Sequence, residues 1–146
     1  MRADAATVRS MTDSTITWTM VTDVMVSFAS PGLITQESYE RWIKDFSTKK
    51  FSRYLVTTVG IVQLTSIQRK GVADVLRSRK IDVAVVTDEM LVRGLVTAIS
   101  WMGVSIKAFP WSEMRAAARH LRVSALLEER LVEAVLLLRS AGNLAP

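Results

Sequence analysis

The chain has no cysteine, which excludes disulfides, thiolate nucleophiles and cysteine-ligated zinc together. It has one histidine, His120, so a multi-histidine metal site within one chain is excluded as well. Its three prolines fall at a break after the first two strand-like segments (Pro31), after the last one (Pro110) and in the tail (Pro146). No apolar run reaches the roughly 18 residues that span a bilayer. Residues 1–13 lack the apolar segment of a signal peptide, and a cytoplasmic protein is the expectation. Met11 is an alternative start to Met1, which would make the first ten residues an extension. Acidic residues are the scarcer charge, 14 against 19 Lys and Arg, for a net +5 and a pI near 10.0. That excess suits an anionic partner without requiring one.

What is present is apolar. Hydrophobic residues make up 49% of 146, and mean hydropathy is +0.24. Such a chain is long enough to bury a substantial core, and one globular domain is expected. The organising stretch is 81–103. Its β-branched run Ile81–Asp82–Val83–Ala84–Val85–Val86 reads as a strand covered on both faces. Thr87 and Asp88 are good N-caps, and Glu89 suits a helix's first turn. Leu91, Leu95, Ala98, Ile99 and Met102 then recur at helical spacing until Gly103.

The chain before it reads in the same terms. Residues 15–21 alternate with period two, residues 24–29 repeat the pattern, and Thr22-Asp23 between them predicts a hairpin. A helix over about 35–47 carries Tyr39, Trp42, Ile43 and Phe46 at i, i+3, i+4 and i+7. Residues 53–59 predict a strand. Thr65 and Gln68 make a capping box for a helix over about 66–79, with Ile67, Val72, Val75 and Leu76 inward. Residues 104–109 predict the last strand. A helix over about 112–121 follows, with Met114, Ala117, Ala118 and Leu121 inward. The last helix, about 124–139, is too broadly apolar for a plain surface helix. Leu127, Leu131, Ala134, Val135 and Leu138 form one stripe, while Val132, Leu136 and Leu137 lie beyond it. Gly142 and Pro146 read as a frayed end.

This order predicts an α/β domain of about five strands, with the sheet mixed at one edge and parallel inside. Helix N-termini then gather at the strands' C-terminal edge with Thr57, Thr58, Gly60, Thr65, Ser66, Thr87, Asp88 and Trp111. The opposite edge collects Lys49, Lys50, Arg53, Arg77, Arg79, Lys80, Arg119, His120 and Arg122. The first edge could hold an anion, or its hydroxyls could simply be caps. No glycine-rich phosphate loop follows any strand. The basic edge could meet an anionic partner, or its charges could complement helix C-termini. No aromatic residues interleave with those charges, so nucleic acid is not expected. Trp101 and Trp111 read as core. Asp82 and Asp88 stand at opposite ends of a strand rising roughly 3.3 Å per residue, too far apart for an acid–base pair. No catalytic set, cofactor site or metal site can be assembled.

The same order resembles the STAS domain of bacterial anti-sigma-factor antagonists. It is closer to the STAS/SEC14-like (SpoIIAA-like) group, found as single-domain proteins in myxobacteria. The resemblance is carried by Leu55-Val56-Thr57-Thr58, by Gln68-Arg69-Lys70 and above all by 83–109. It covers about residues 15–121, and the chain is expected to divide into a flexible arm over 1–13, a STAS-like domain over 14–123 and a C-terminal helix and tail over 124–146. The resemblance implies a non-enzymatic regulatory or scaffolding module that binds another protein under phosphorylation control. Thr58, Thr65 and Ser66 stand where such antagonists are phosphorylated, although the Asp-Ser pair of that site is missing here. The expected partner edge comprises Thr58, Ile61, Leu64, Ser66, Thr87, Asp88 and Arg93. Leu131, Val132, Leu136 and Leu137 are the candidate interface for a second copy. The alternative is a domain that binds a nucleotide or lipid in a crevice near Thr58, Thr87 and Trp111.

Overall fold

The computed structural model describes residues 13–144; the expected N-terminal arm up to residue 12 and the choice between Met1 and Met11 lie outside them, while Asp13 is paired in a strand. The elements run β1 (Asp13–Ser14), β2 (Ile16–Val21), β3 (Val24–Ala29), β4 (Gly32–Ile34), α1 (Gln36–Thr48), β5 (Arg53–Thr58), β6 (Val62–Gln63) and α2 (Ser66–Ser78). They continue with β7 (Asp82–Val86), α3 (Met90–Ser100), β8 (Ile106–Phe109), a 3-10 turn (Trp111–Glu113), α4 (Met114–His120) and α5 (Ala125–Leu144).

The main sheet has the order β2-β3-β5-β7-β8. The β2–β3 pair is the expected antiparallel hairpin, with Val21 opposite Val24 and Thr22 turning at φ 54°. All other neighbours are parallel, so the sheet is mixed at one edge, as its strand patterns predict. A second ladder, β1-β4-β6, is parallel and two residues deep at each pairing. Segments that short carry no period, and their residues read as loop in the sequence.

Each face of the sheet has its own core. Met25, Tyr54, Val83 and Val85 point toward α1–α3 and meet Trp42, Phe46, Val72, Leu76, Val92 and Val96. Val24, Val26, Leu55, Ala84 and Val86 point the other way, against Ala117, Leu121, Leu131 and Val135 of α4 and α5. The central strands are therefore covered on both sides, which is why their sequences are continuous apolar runs.

Caps decide the helix starts. Thr35 Oγ1 accepts from Ser38 N, and the Thr65–Gln68 capping box is complete. The start of α3 differs from expectation. Glu89 occupies the N-cap position without a side-chain bond. Thr87 Oγ1 instead accepts from Glu89 N, and Asp88 Oδ1 accepts from Trp111 N. The hydroxyl is spent within the strand-to-helix turn, and the carboxylate ties that turn to the one after β8.

Two apolar helix faces and two helix ends also differ. In α3 the buried row is Val92, Val96 and Ile99, while Leu91 and Met102 are exposed. Opposite the polar row Arg93–Thr97–Ser100 its apolar face is wide enough for two adjacent rows, and the β-branched one packs. Ile67 is 83% exposed, and Trp101 is 82% exposed at the end of α3, so neither is core. The last helix runs on through Gly142 to Leu144, beyond the expected end near residue 139.

Candidate functional site

The expected edge is assembled, but its members are of two kinds. Thr58 is 5% exposed and Thr87 not at all, so neither can be touched by a partner protein. Trp111 closes the space between the strand ends. Its indole Nε1–H donates to Thr58 O at 2.8 Å, and the Arg139 guanidinium lies over its ring at 4.5 Å. The strand order also runs in one direction from β3 to β8, with α1–α3 on one face. There is thus no reversal of strand order to open a ligand crevice at this edge. Of the three residues expected around a crevice, Thr58 and Thr87 are buried and Trp111 is half-buried, with its indole bonded to the Thr58 carbonyl.

The accessible members lie farther out. Ile61, Ser66, Asp88 and Arg93 are exposed, and Leu64 is half-buried against the core. Gly60 sets the position of Ile61: it has φ +70°, and a Cβ there would stand 2.5 Å from Pro31 Cγ. The turn is locked to the neighbouring loop by Val59 N–H donating to Ala29 O and Gly32 N–H donating to Ile61 O. Ile61 therefore meets Leu33 of β4 and Leu91 of α3 around a groove of about 280 Å³, with Arg69 on its wall. Leu33, Leu91 and Arg69 are not among the residues expected at this edge. Leu33 sits in a segment that reads as a break, and Leu91 in the helical row that reads as core. Ile67 and Met90, at the first turns of α2 and α3, add two more exposed apolar side chains.

A second space lies inward of this groove. Strand alternation directs Tyr54, Val56 and Thr58 into the layer under α1–α3, where they line a cavity of about 100 Å³. Tyr54 Oη accepts from Trp42 Nε1–H at 3.0 Å and pairs with Ser27 Oγ at 2.6 Å. Burial pushes the Tyr54 phenol far above its ordinary range, so it serves as a neutral hydrogen-bonding group. Thr58 Oγ1 is the one fully buried side-chain polar atom among the described residues without a partner.

At the opposite edge the arginines tie elements together. Arg79 of α2 donates to Phe46 O and Lys49 O at the end of α1. Arg77 of α2 donates to Met102 O beyond α3. Arg53 of β5 donates to Leu121 O and Arg122 O after α4, and pairs with Asp23 at 2.6 Å. These guanidiniums satisfy orphan carbonyls of neighbouring helices, so much of the positive charge there is structural.

Of the candidate interface on α5, Leu131 is wholly buried and belongs to the chain's own core. Val132 is half-buried, and Leu136 and Leu137 are 51% and 71% exposed. Among the described residues no group of three or more His, Asp or Glu side chains is placed to hold a metal ion. No helix there is long and apolar enough to cross a membrane. No protein-family model matches this chain, and no curated protein matches it either.

Proposed function

We propose that this protein is a non-enzymatic regulatory or scaffolding module of the STAS-like kind, which binds another protein through the Ile61 edge. The observation that carries the proposal is the groove between Leu33, Ile61 and Leu91. Three elements distant in sequence place large apolar side chains side by side in solvent, and Ile67 and Met90 stand close to it in the chain. Single exposed apolar residues need no explanation; a group on one rim does. The arginine on the groove wall, Arg69, is of a type enriched at protein interfaces.

Phosphorylation control, if the family's pattern carries over, falls on Ser66. Thr58 is buried, and the Thr65 hydroxyl is engaged in the capping box. Ser66 is exposed at the first position of α2, where a phosphate meets the helix N-terminus.

The test is affinity capture from the native host with the wild-type chain and an Ile61→Asp/Leu91→Asp variant. Both positions are exposed, so the variant keeps its circular dichroism spectrum and melting temperature within a few degrees. Loss of the captured protein from the variant alone is expected. Equal capture by both chains would sink the reading.

A further inference from the structure

We propose that the solvent face of α5 pairs two copies of this chain, as antiparallel helices about a twofold axis. This goes beyond the protein-binding edge and does not depend on it. Leu126, Arg130, Glu133 and Leu137 follow one another at spacings of four, three and four residues, so they form a single row along the helix. All four are exposed, the leucines at 66% and 71%. The row lies away from Leu131 and Val135, by which α5 packs into the core. The sheet separates α5 from α1–α3, so a pair formed here covers none of the helices that wall the Ile61 groove.

The row is complementary to itself when reversed. A twofold axis midway between Arg130 and Glu133 sets each Leu126 against the second copy's Leu137, and each Arg130 against the second copy's Glu133. That self-match is what an interface between identical chains requires. A parallel pair would instead set Arg130 against Arg130 and Glu133 against Glu133, and like charges repel. The spacing is that of the a and d positions of a coiled coil, where polar residues in an apolar seam fix the register. The two charges are also the ones α5 leaves over. Glu128 and Glu129 are held by Arg115 and Arg119, and Arg139 lies over Trp111. Neither Arg130 nor Glu133 has an ion pair among the described residues. One helix face is a small interface, so a weak, concentration-dependent dimer is expected.

The experiment is sedimentation equilibrium on the full chain, on its Arg130→Glu and Glu133→Arg variants, and on an equimolar mixture of the two variants. Both positions are exposed, so each variant keeps the wild-type circular dichroism spectrum and melting temperature. Alone, each variant sets like charges against each other at both contacts and should weaken self-association by about tenfold or more. Mixing the two restores opposite charges at both contacts, and a heterodimer of about wild-type affinity is expected. A wild-type chain that stays monomeric into the millimolar range would overturn the proposal, as would single variants that associate as tightly as wild type. A mixture that associates no better than its components would overturn the antiparallel pairing of Arg130 with Glu133.

Discussion

Gly71 and Gly94 are both helix-interior glycines, and replacing such a glycine by alanine ordinarily stabilises a helix by about 0.5–1 kcal/mol. Their surroundings reverse the sign for one of them. A Cβ at Gly94 meets nothing within 4 Å, so Gly94→Ala should gain the full propensity term. A Cβ at Gly71 runs into the hydroxyl of Tyr39, which donates to Gln68 O and sits on a buried ring. Relieving that clash breaks the bond and moves packed aromatic surface, a loss of about 1–3 kcal/mol. Gly71→Ala should therefore lower the denaturation midpoint while Gly94→Ala raises it, and urea titration of the two variants decides. At the site, the sequence exposed Ile61 and Ser66 for what they are, because an apolar residue in a turn and a serine after a capping box announce themselves locally. It could not show that Thr58 and Thr87 are buried, since that depends on the layers of chain packed over the strand ends from elsewhere in the sequence.

The elements with a clear period are the legible ones: the β2–β3 hairpin, α1 with its Tyr39–Trp42–Phe46 stripe, and α2 with its capping box. Those that failed are short, as with β4 and β6, or carry an apolar face wide enough for two rows, as with the phase of α3. The last helix belongs to a third kind, where width of the apolar face is visible but its use is not. The structure divides it. Leu131, Ala134 and Val135 pack on the back of the sheet, while Leu136 and Leu137 face solvent. Leu131→Ala should cost about 2–5 kcal/mol as a cavity in that core. Leu136→Asp/Leu137→Asp should leave the melting temperature nearly unchanged, since surface substitutions usually fall within about 0.5 kcal/mol. Light scattering on the second variant beside the wild-type chain then reports whether the exposed pair joins two copies.

For the molecule as a whole, two carboxylates contribute to acid sensitivity. Hydrogen bonds from Arg53 hold Asp23 below its ordinary range, and hydrogen bonds from Arg115 and then Arg119 do the same for Glu128. Groups depressed in the folded state contribute stability that is present above their unfolded pKa and lost as pH falls through the folded one. Stability should thus be level on this account above about pH 5 and decline below about pH 4, the ordinary carboxylate range. Glu128 joins α4 to α5 through Arg115 at 3.1 Å and Arg119 at 3.0 Å. The Glu128→Gln variant should be less stable at pH 7 and converge with the wild-type chain in acid. Melting temperatures across pH 2–8 check this; a constant difference between the two chains would contradict it.

The one-directional strand order has a kinetic side. Each parallel strand of the main sheet lies beside the strand that precedes or follows it along the chain, apart from the intervening short ladder. The hairpin and the strands after it can therefore be added in sequence, each closing only a modest loop. The exception is α5, which returns across the molecule to lie on β2 and β3. Until it docks, Val24, Val26 and Leu55 form a wet apolar sheet face, the kind of surface on which partly folded chains stick to one another. The speed with which the last helix docks therefore sets how long that face stays open to other chains.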